Sequence, residues 1–148
     1  MIEKPILLLL ADDDNDDRNF FKDAVDELKL SVNLTLVENG SQLMKLLTDN
    51  NYTKPHVIFL DINMPAKNGI ECLHEIKSDE NLKEIPIIMF TTAYDRELVH
   101  NLYSGGVQYF IKKPNNFSDL KAVIEKAISL IELDSKSQPG LSDFVLYK

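Results

Sequence analysis

The sequence predicts a doubly wound α/β fold, in which a five-stranded parallel sheet carries helices on both faces. Three observations lead there. Apolar runs of strand length alternate with segments of helical period, five pairs in all. Several of those runs are nearly continuous in Leu, Ile, Val and Phe, as strands buried on both faces require. The chain of 148 residues, 44% hydrophobic and 27% charged, has the size and apolar content for one core. A second folded domain has no room.

The first strand is expected over Ile6 to Ala11, followed by a helix presenting Phe20, Phe21, Ala24, Val25 and Leu28 on one side. Val32 to Val37 alternates enough to be a strand nearer the edge, and Gly40-Ser41 opens a helix carrying Leu43, Met44, Leu46 and Leu47. Val57-Ile58-Phe59-Leu60 is a central strand that ends abruptly on Asp61. After the turn from Met64 to Gly69, a third helix turns Ile70, Leu73 and Ile76 inward, before a polar stretch over 78–84. Pro86 introduces the fourth strand, Ile87 to Thr91. A weaker helix over 95–104 buries Leu98, Val99 and Leu102 and is closed by Gly105-Gly106. Tyr109-Phe110-Ile111 forms the fifth strand, and a helix from about 117 to 133 completes the unit. Residues 134–148 are expected to be a flexible break and then an apolar tail, packed loosely on its own domain or meeting a partner.

Composition excludes several functions. With 24 acidic and 16 basic residues the net charge is −8, which opposes the electrostatic grip that direct nucleic-acid binding needs. The single cysteine, Cys72, excludes an intramolecular disulfide and a Cys-based zinc site; it is expected to be a half-buried helix residue in a reducing cytoplasm. The apolar run before Ala11 is too short for a signal-peptide core or a membrane span, so a soluble, cytoplasmic protein with no membrane contact is expected. His56, His74 and His100 show no metal-ligand spacing.

In an open parallel sheet the site lies beyond the carboxyl ends of the strands. Here those ends carry Asp12-Asp13-Asp14, Asp61, Thr91-Thr92 and Lys112-Lys113-Pro114. Converging carboxylates repel one another and raise their own pKa values unless a cation lies between them, and hard oxygen ligands in that number suit Mg²⁺. Lys113 and the Thr91 hydroxyl can answer the charge of a transferring phosphoryl group. A carboxylate closing a buried central strand is costly without a partner, which singles out Asp61. Asp14, Asp16 and Asp17 precede a helix and are read as its N-terminal caps.

With these residues in order, the sequence resembles the response-regulator receiver family from about residue 5 to residue 133. The family's acidic pair corresponds to Asp12-Asp13, its phospho-acceptor to Asp61 in Val-Ile-Phe-Leu-Asp-Ile-Asn-Met-Pro, its turn to Pro65 and Gly69, and its hydroxyl residue to Thr91. Its lysine corresponds to Lys113, because Pro114 follows, through a bond that the resemblance implies is cis. Its switch aromatic corresponds to Phe110.

The resemblance implies the strand order 2-1-3-4-5. It also implies a receiver domain over 1–133 with an appended tail over 134–148 and no output domain. Mg²⁺ would be held by Asp13, Asp61 and the backbone carbonyl of Asn63, with Asp12 acting mainly through water. Asp61 would take a phosphoryl group from a sensor histidine kinase or phosphotransfer protein. Thr91 would then draw its loop inward and Phe110 would turn, reshaping the face of the fourth helix, fifth strand and fifth helix for a downstream protein target, with homodimerisation left open. No turnover beyond slow self-dephosphorylation is implied. Phe110 stands where a tyrosine is commoner and lacks its hydroxyl. The insert over 78–84 and the Thr91-Thr92 pair look similar to free-standing receivers that serve phytochrome-type and other sensor kinases.

Other readings explain less. A phosphohydrolase with its nucleophile in Asp12-Asp13-Asp14 would need a cap insertion and a late acidic pair, and would leave Asp61 idle. A calcium loop starting at Asp12 has Asp17 where glycine is required and Asp23 where glutamate is. No Gly-rich nucleotide loop is present. A receiver-like scaffold independent of phosphorylation would tolerate the loss of site residues, and none is lost here.

Overall fold

The computed structural model of the protein describes residues 4–147; residues 1–3, at the start of the expected domain, and Lys148 lie outside the described residues. Five parallel strands, β1 (Ile6–Ala11), β2 (Val32–Val37), β3 (Val57–Leu60), β4 (Ile87–Thr91) and β5 (Tyr109–Lys112), form one sheet in the order β2-β1-β3-β4-β5. Five helices alternate with them: α1 (Asn15–Leu28), α2 (Gly40–Leu47), α3 (Gly69–Lys77), α4 (Arg96–Ser104) and α5 (Phe117–Leu133). This is the expected architecture. No helix among the described residues is long and apolar enough to cross a membrane.

Period-two alternation along the strands builds two cores. Leu9, Ile58, Leu60 and Met89 point to the side covered by α2, α3 and α4, where they meet Leu43, Leu47, Leu73, Ile76 and Leu102. Leu8, Leu10, Phe59, Phe90 and Ile111 point to the side covered by α1 and α5. There Phe21 sets its ring edge-on to Phe59 and Phe90, with centroids 5.1 and 5.4 Å apart.

Each helix begins with a side chain accepting a backbone N–H: Asp14 for α1, Asn39 for α2, Asn68 for α3, Asp95 for α4 and Asn116 for α5. For α3 the bond is reciprocal, since Glu71 reaches back to the Asn68 N–H. These caps fix where the chain leaves each strand end, and so fix the loops that surround the site.

Two expectations about packing are corrected. Cys72 is wholly buried, not half-buried, because the glycine opposite it, Gly40, lets α2 and α3 approach so closely that an added Cβ would sit 2.7 Å from the Cys72 sulfur. Burial pushes its thiol pKa up to about 11, which leaves it inert at neutral pH. The segment after α5 is not loose. It folds back over α4 and adds a parallel bridge to the edge of β5, Val145 opposite Phe110, and its Phe144 has no exposed surface.

Candidate functional site

Strand parity delivers the site. Along β1, Leu8 and Leu10 face the α1/α5 side, along β3 Phe59 does, and along β5 Ile111 does; the next residues of that parity are Asp12, Asp61 and Lys113. Register then aligns them, because Ala11 pairs with Leu60. Asp12 and Asp61 therefore leave β1 and β3 side by side, at the point where the strand order reverses and where open α/β sheets bind their ligands. Thr91 has the opposite parity, and its carbonyl accepts the Lys113 N–H at 2.8 Å, tying the ends of β4 and β5 together.

Lys113 is the hub. Its Nζ donates to Asp17 Oδ2 at 2.8 Å and to Asp61 Oδ2 at 3.0 Å, and lies 2.8 Å from Asp12 Oδ2. Burial works against its charge, but the close contacts with Asp12 and Asp17 and the charges of Asp61 and Asp12 outweigh it and hold the ammonium pKa above the ordinary lysine value. Asp61 is buried; its Oδ1 accepts the Ile62 N–H at 2.7 Å. Asp12 is wholly buried and its Oδ1 accepts the Asp14 N–H at 3.0 Å. Burial raises its carboxyl pKa to about 6, with the Asp61 charge adding, while the Lys113 contact and the Asp14 N–H pull the other way.

Asp12 Oδ2 is ion-paired to Lys113 and, among the described residues, is a buried oxygen without a hydrogen bond. Carboxylate oxygens of Asp12, Asp13 and Asp61 come within 4.8 Å of one another, with Asp13 exposed at the rim. Hard oxygen donors, an orphaned buried carboxylate oxygen and more negative than positive charge together fit a divalent metal site. Asn63 is exposed on the loop just beyond Asp61.

The loop after β3 explains Pro65 and Gly69 differently from a simple turn. The left-handed residue is Ala66, with φ at 66°, whereas Gly69 is needed for space: a Cβ there would lie 2.2 Å from the Asp61 carbonyl oxygen. The Lys113–Pro114 peptide, which the family resemblance implied to be cis, is trans. For an X–Pro bond the two isomers differ by only about 0.5–1 kcal/mol, so local chemistry does not dictate the choice. Thr91 is wholly buried, and its Oγ1 accepts the Ala93 N–H at 3.4 Å within its own loop. Phe110 is also wholly buried, on the α4 side of β5, its ring 5.8 Å from that of Tyr94 in the loop after β4.

Two residues of the site escaped the sequence. Asp17, read as a cap, turns back to Lys113; only Asp14 caps α1. Arg18 is buried, donating to the Asp12 carbonyl at 2.8 Å and to Asn15 Oδ1 at 3.1 Å, so it anchors the backbone that carries the acidic pair. The one signal for it was a lone cation inside an acidic run.

Comparison with known proteins gives one family. Residues 8–125 match the response regulator receiver domain. Among curated relatives, response regulator Rcp1 of Synechocystis is 29% identical over 125 residues, covering 82% of this chain and 85% of Rcp1. Chemotaxis protein CheY1 of Helicobacter pylori is 35% identical over 118 residues, covering 80% and 93%. Among solved structures, the Mn²⁺-bound form of Rcp1 superposes with a TM-score of 0.77 at 28% identity, covering 92% of this chain and all of that one. The phosphorylated cyanobacterial phytochrome response regulator RcpA does so with 0.76 at 29% identity, covering 92% and 99%.

Proposed function

The chain belongs to the response regulator receiver family, the signalling domains of two-component systems, and on that footing we propose that Asp61 is its phospho-acceptor. The observation that carries this is the buried Asp61 carboxylate at the end of a central strand, hydrogen-bonded by Lys113 and grouped with Asp12 and Asp13.

An oxygen of the Asp61 carboxylate attacks the phosphorus of a phosphohistidine; the P–N bond breaks, the acyl phosphate forms, and the leaving imidazole takes up a proton. Asp13, Asp61, the Asn63 carbonyl and, through water, Asp12 are the groups that would hold Mg²⁺. When bound, the ion would supply positive charge to offset that of the carboxylates and of the incoming phosphoryl group. Lys113 offers an ammonium already at the acceptor oxygen. Thr91, held by its loop, turns its hydroxyl to a phosphoryl oxygen, and the loop carrying Tyr94 follows. Phe110 senses that movement, and the α4–β5–α5 face changes shape for a downstream protein.

The reading extends to a receiver unit over 1–133, a cytoplasmic location, a histidine kinase or phosphotransfer protein as donor, and no catalysis beyond slow self-dephosphorylation. Intact-protein mass after incubation with Mg²⁺ and acetyl phosphate is expected to show one phosphoryl adduct, lost in Asp61→Asn and without Mg²⁺. No adduct with this or other small phosphodonors would sink the reading, as would steady phosphate release surviving Asp61→Asn.

A further inference from the structure

The segment after α5 is built onto the face that a receiver is expected to show its partners. Asp134 turns the chain by accepting the N–H groups of Lys136 and Ser137 on Oδ1, both at 3.0 Å. Polar side chains of the α4–β5 region then clasp the main chain: Tyr103 Oη donates to the Pro139 carbonyl at 2.6 Å and Gln108 Nε2 to that of Ser137. Gln138 reciprocates, donating to the Tyr103 and Val107 carbonyls, each at 2.7 Å.

A short 3₁₀ turn, Leu141–Asp143, delivers the apolar end. Phe110 donates its N–H to the Phe144 carbonyl at 3.0 Å and accepts the Leu146 N–H at 2.8 Å, so both outward main-chain groups of this edge residue are satisfied. Phe144 is wholly buried, edge-on to Tyr103 at 5.1 Å and 6.4 Å from the Phe110 ring. Leu146 is buried on the opposite, α5 side, and Lys126 Nζ donates to the Tyr147 carbonyl at 3.1 Å. The segment thus straddles the β5 edge from α4 to α5.

Phe110 is the shared element. One neighbour of its ring is Tyr94 in the loop that follows Thr91, and another is Phe144 in the strap. We propose that residues 137–147 are a releasable strap: they close the α4–β5–α5 face while Asp61 is unmodified, and phosphorylation loosens them through Phe110, opening the edge. This rests on Asp61 as phospho-acceptor. The strap is bonded to Phe110 in the arrangement where Lys113 holds a free Asp61 carboxylate. A face cannot be covered by its own chain and read by another at once. The freed edge would present the Phe110 N–H and carbonyl beside the pocket left by the Phe144 ring, chemistry that accepts an extended segment with an aromatic anchor. Linkage is reciprocal: the factor by which phosphorylation weakens strap docking is the factor by which strap docking disfavours phosphorylation.

The test is amide hydrogen exchange on the full chain before and after Mg²⁺ and acetyl phosphate, with intact mass read on the same sample. The Leu146 amide is expected to be protected at first and to exchange at least about fivefold faster once the adduct is present. Phe144→Ala, which meets the switch residue Phe110 and lies outside the cluster of Asp12, Asp13, Asp61 and Lys113, should reproduce the faster exchange without phosphorylation and raise the phosphorylated fraction at limiting donor. Phe144→Leu should restore most of the protection. A Leu146 amide that exchanges like free chain from the start would overturn the docking. An adduct gained with Leu146 protection unchanged would overturn the coupling. Absence of any adduct would instead strike the acceptor reading, and the initial protection would still decide whether the strap is docked.

Discussion

Lys113 meets three carboxylates, those of Asp12, Asp17 and Asp61, with one ammonium group. Asp12 and Asp61 lie in the carboxylate cluster that fits a divalent ion, whereas Asp17 stands at the rim with its side chain 39% exposed. On the proposed reading it would compete with an incoming phosphoryl group for an N–H of Lys113 and repel the negative charge of the donor. Asp17→Asn is therefore expected to speed phosphorylation by small phosphodonors by about two- to fivefold, the modest scale of a solvent-screened ion pair. Initial rates from intact mass would check this; a slower variant would mean that Asp17 orients Lys113 usefully. The placement of Asp12, Asp13, Asp61, Thr91 and Lys113 at the strand ends was legible because each closes or follows an apolar strand. Asp17 was not, since an acidic residue in the first turn of a helix has a sufficient local explanation. Arg18 was hidden for a related reason: its partner is the Asp12 carbonyl, and main-chain acceptors leave no mark on a sequence.

Elements were legible wherever hydrophobic period decided them. The five strands and five helices fall where apolar runs and helical spacing put them, with β5 extended to Lys112 and α4 beginning at Arg96 after its Asp95 cap. The segment over 134–147 was read too weakly, because a bridge at a sheet edge depends on long-range register and on Tyr103, Gln108 and Gln138 meeting main-chain carbonyls. The loop between β3 and α3 was read as a turn, but what Gly69 does in it was not legible. That glycine starts α3 against the Asp61 backbone, and an added Cβ would meet the Asp61 carbonyl oxygen at 2.2 Å and the Ile62 Cα at 2.8 Å. Alanine is ordinarily the better helix former by about 1 kcal/mol. Here overpacking reverses the sign, and Gly69→Ala should cost about 1–3 kcal/mol in urea unfolding. It should also slow phosphoryl uptake, because the residue that yields is Asp61, the proposed acceptor. Unchanged or increased stability would show that the loop relaxes freely and that Gly69 does not hold Asp61.

For the whole molecule, the acidic site is a cost that a cation can offset. The chain carries a net charge of −8, and at the carboxyl edge of the sheet burial holds the Asp12 pKa near 6, so keeping that carboxylate ionised at neutral pH works against folding. A divalent ion bound in the folded state, and not by the unfolded chain, must stabilise the protein by mass action, about 2.7 kcal/mol at a hundredfold excess over its dissociation constant. For a domain of this size that corresponds to a rise in Tm of roughly 5–10 °C. Simple screening of the net charge would also raise Tm, but it depends on ionic strength alone. The two are separated by comparing MgCl₂ with NaCl at matched ionic strength and by Asp13→Asn, which removes an exposed ligand without disturbing the core. Magnesium should raise the Tm of the native chain well beyond the sodium control, and the excess should vanish in the variant. Equal shifts with both salts would mean that Asp12, Asp13 and Asp61 form an acidic cluster and not a metal site, and would remove the ion on which the proposed phosphoryl transfer to Asp61 depends.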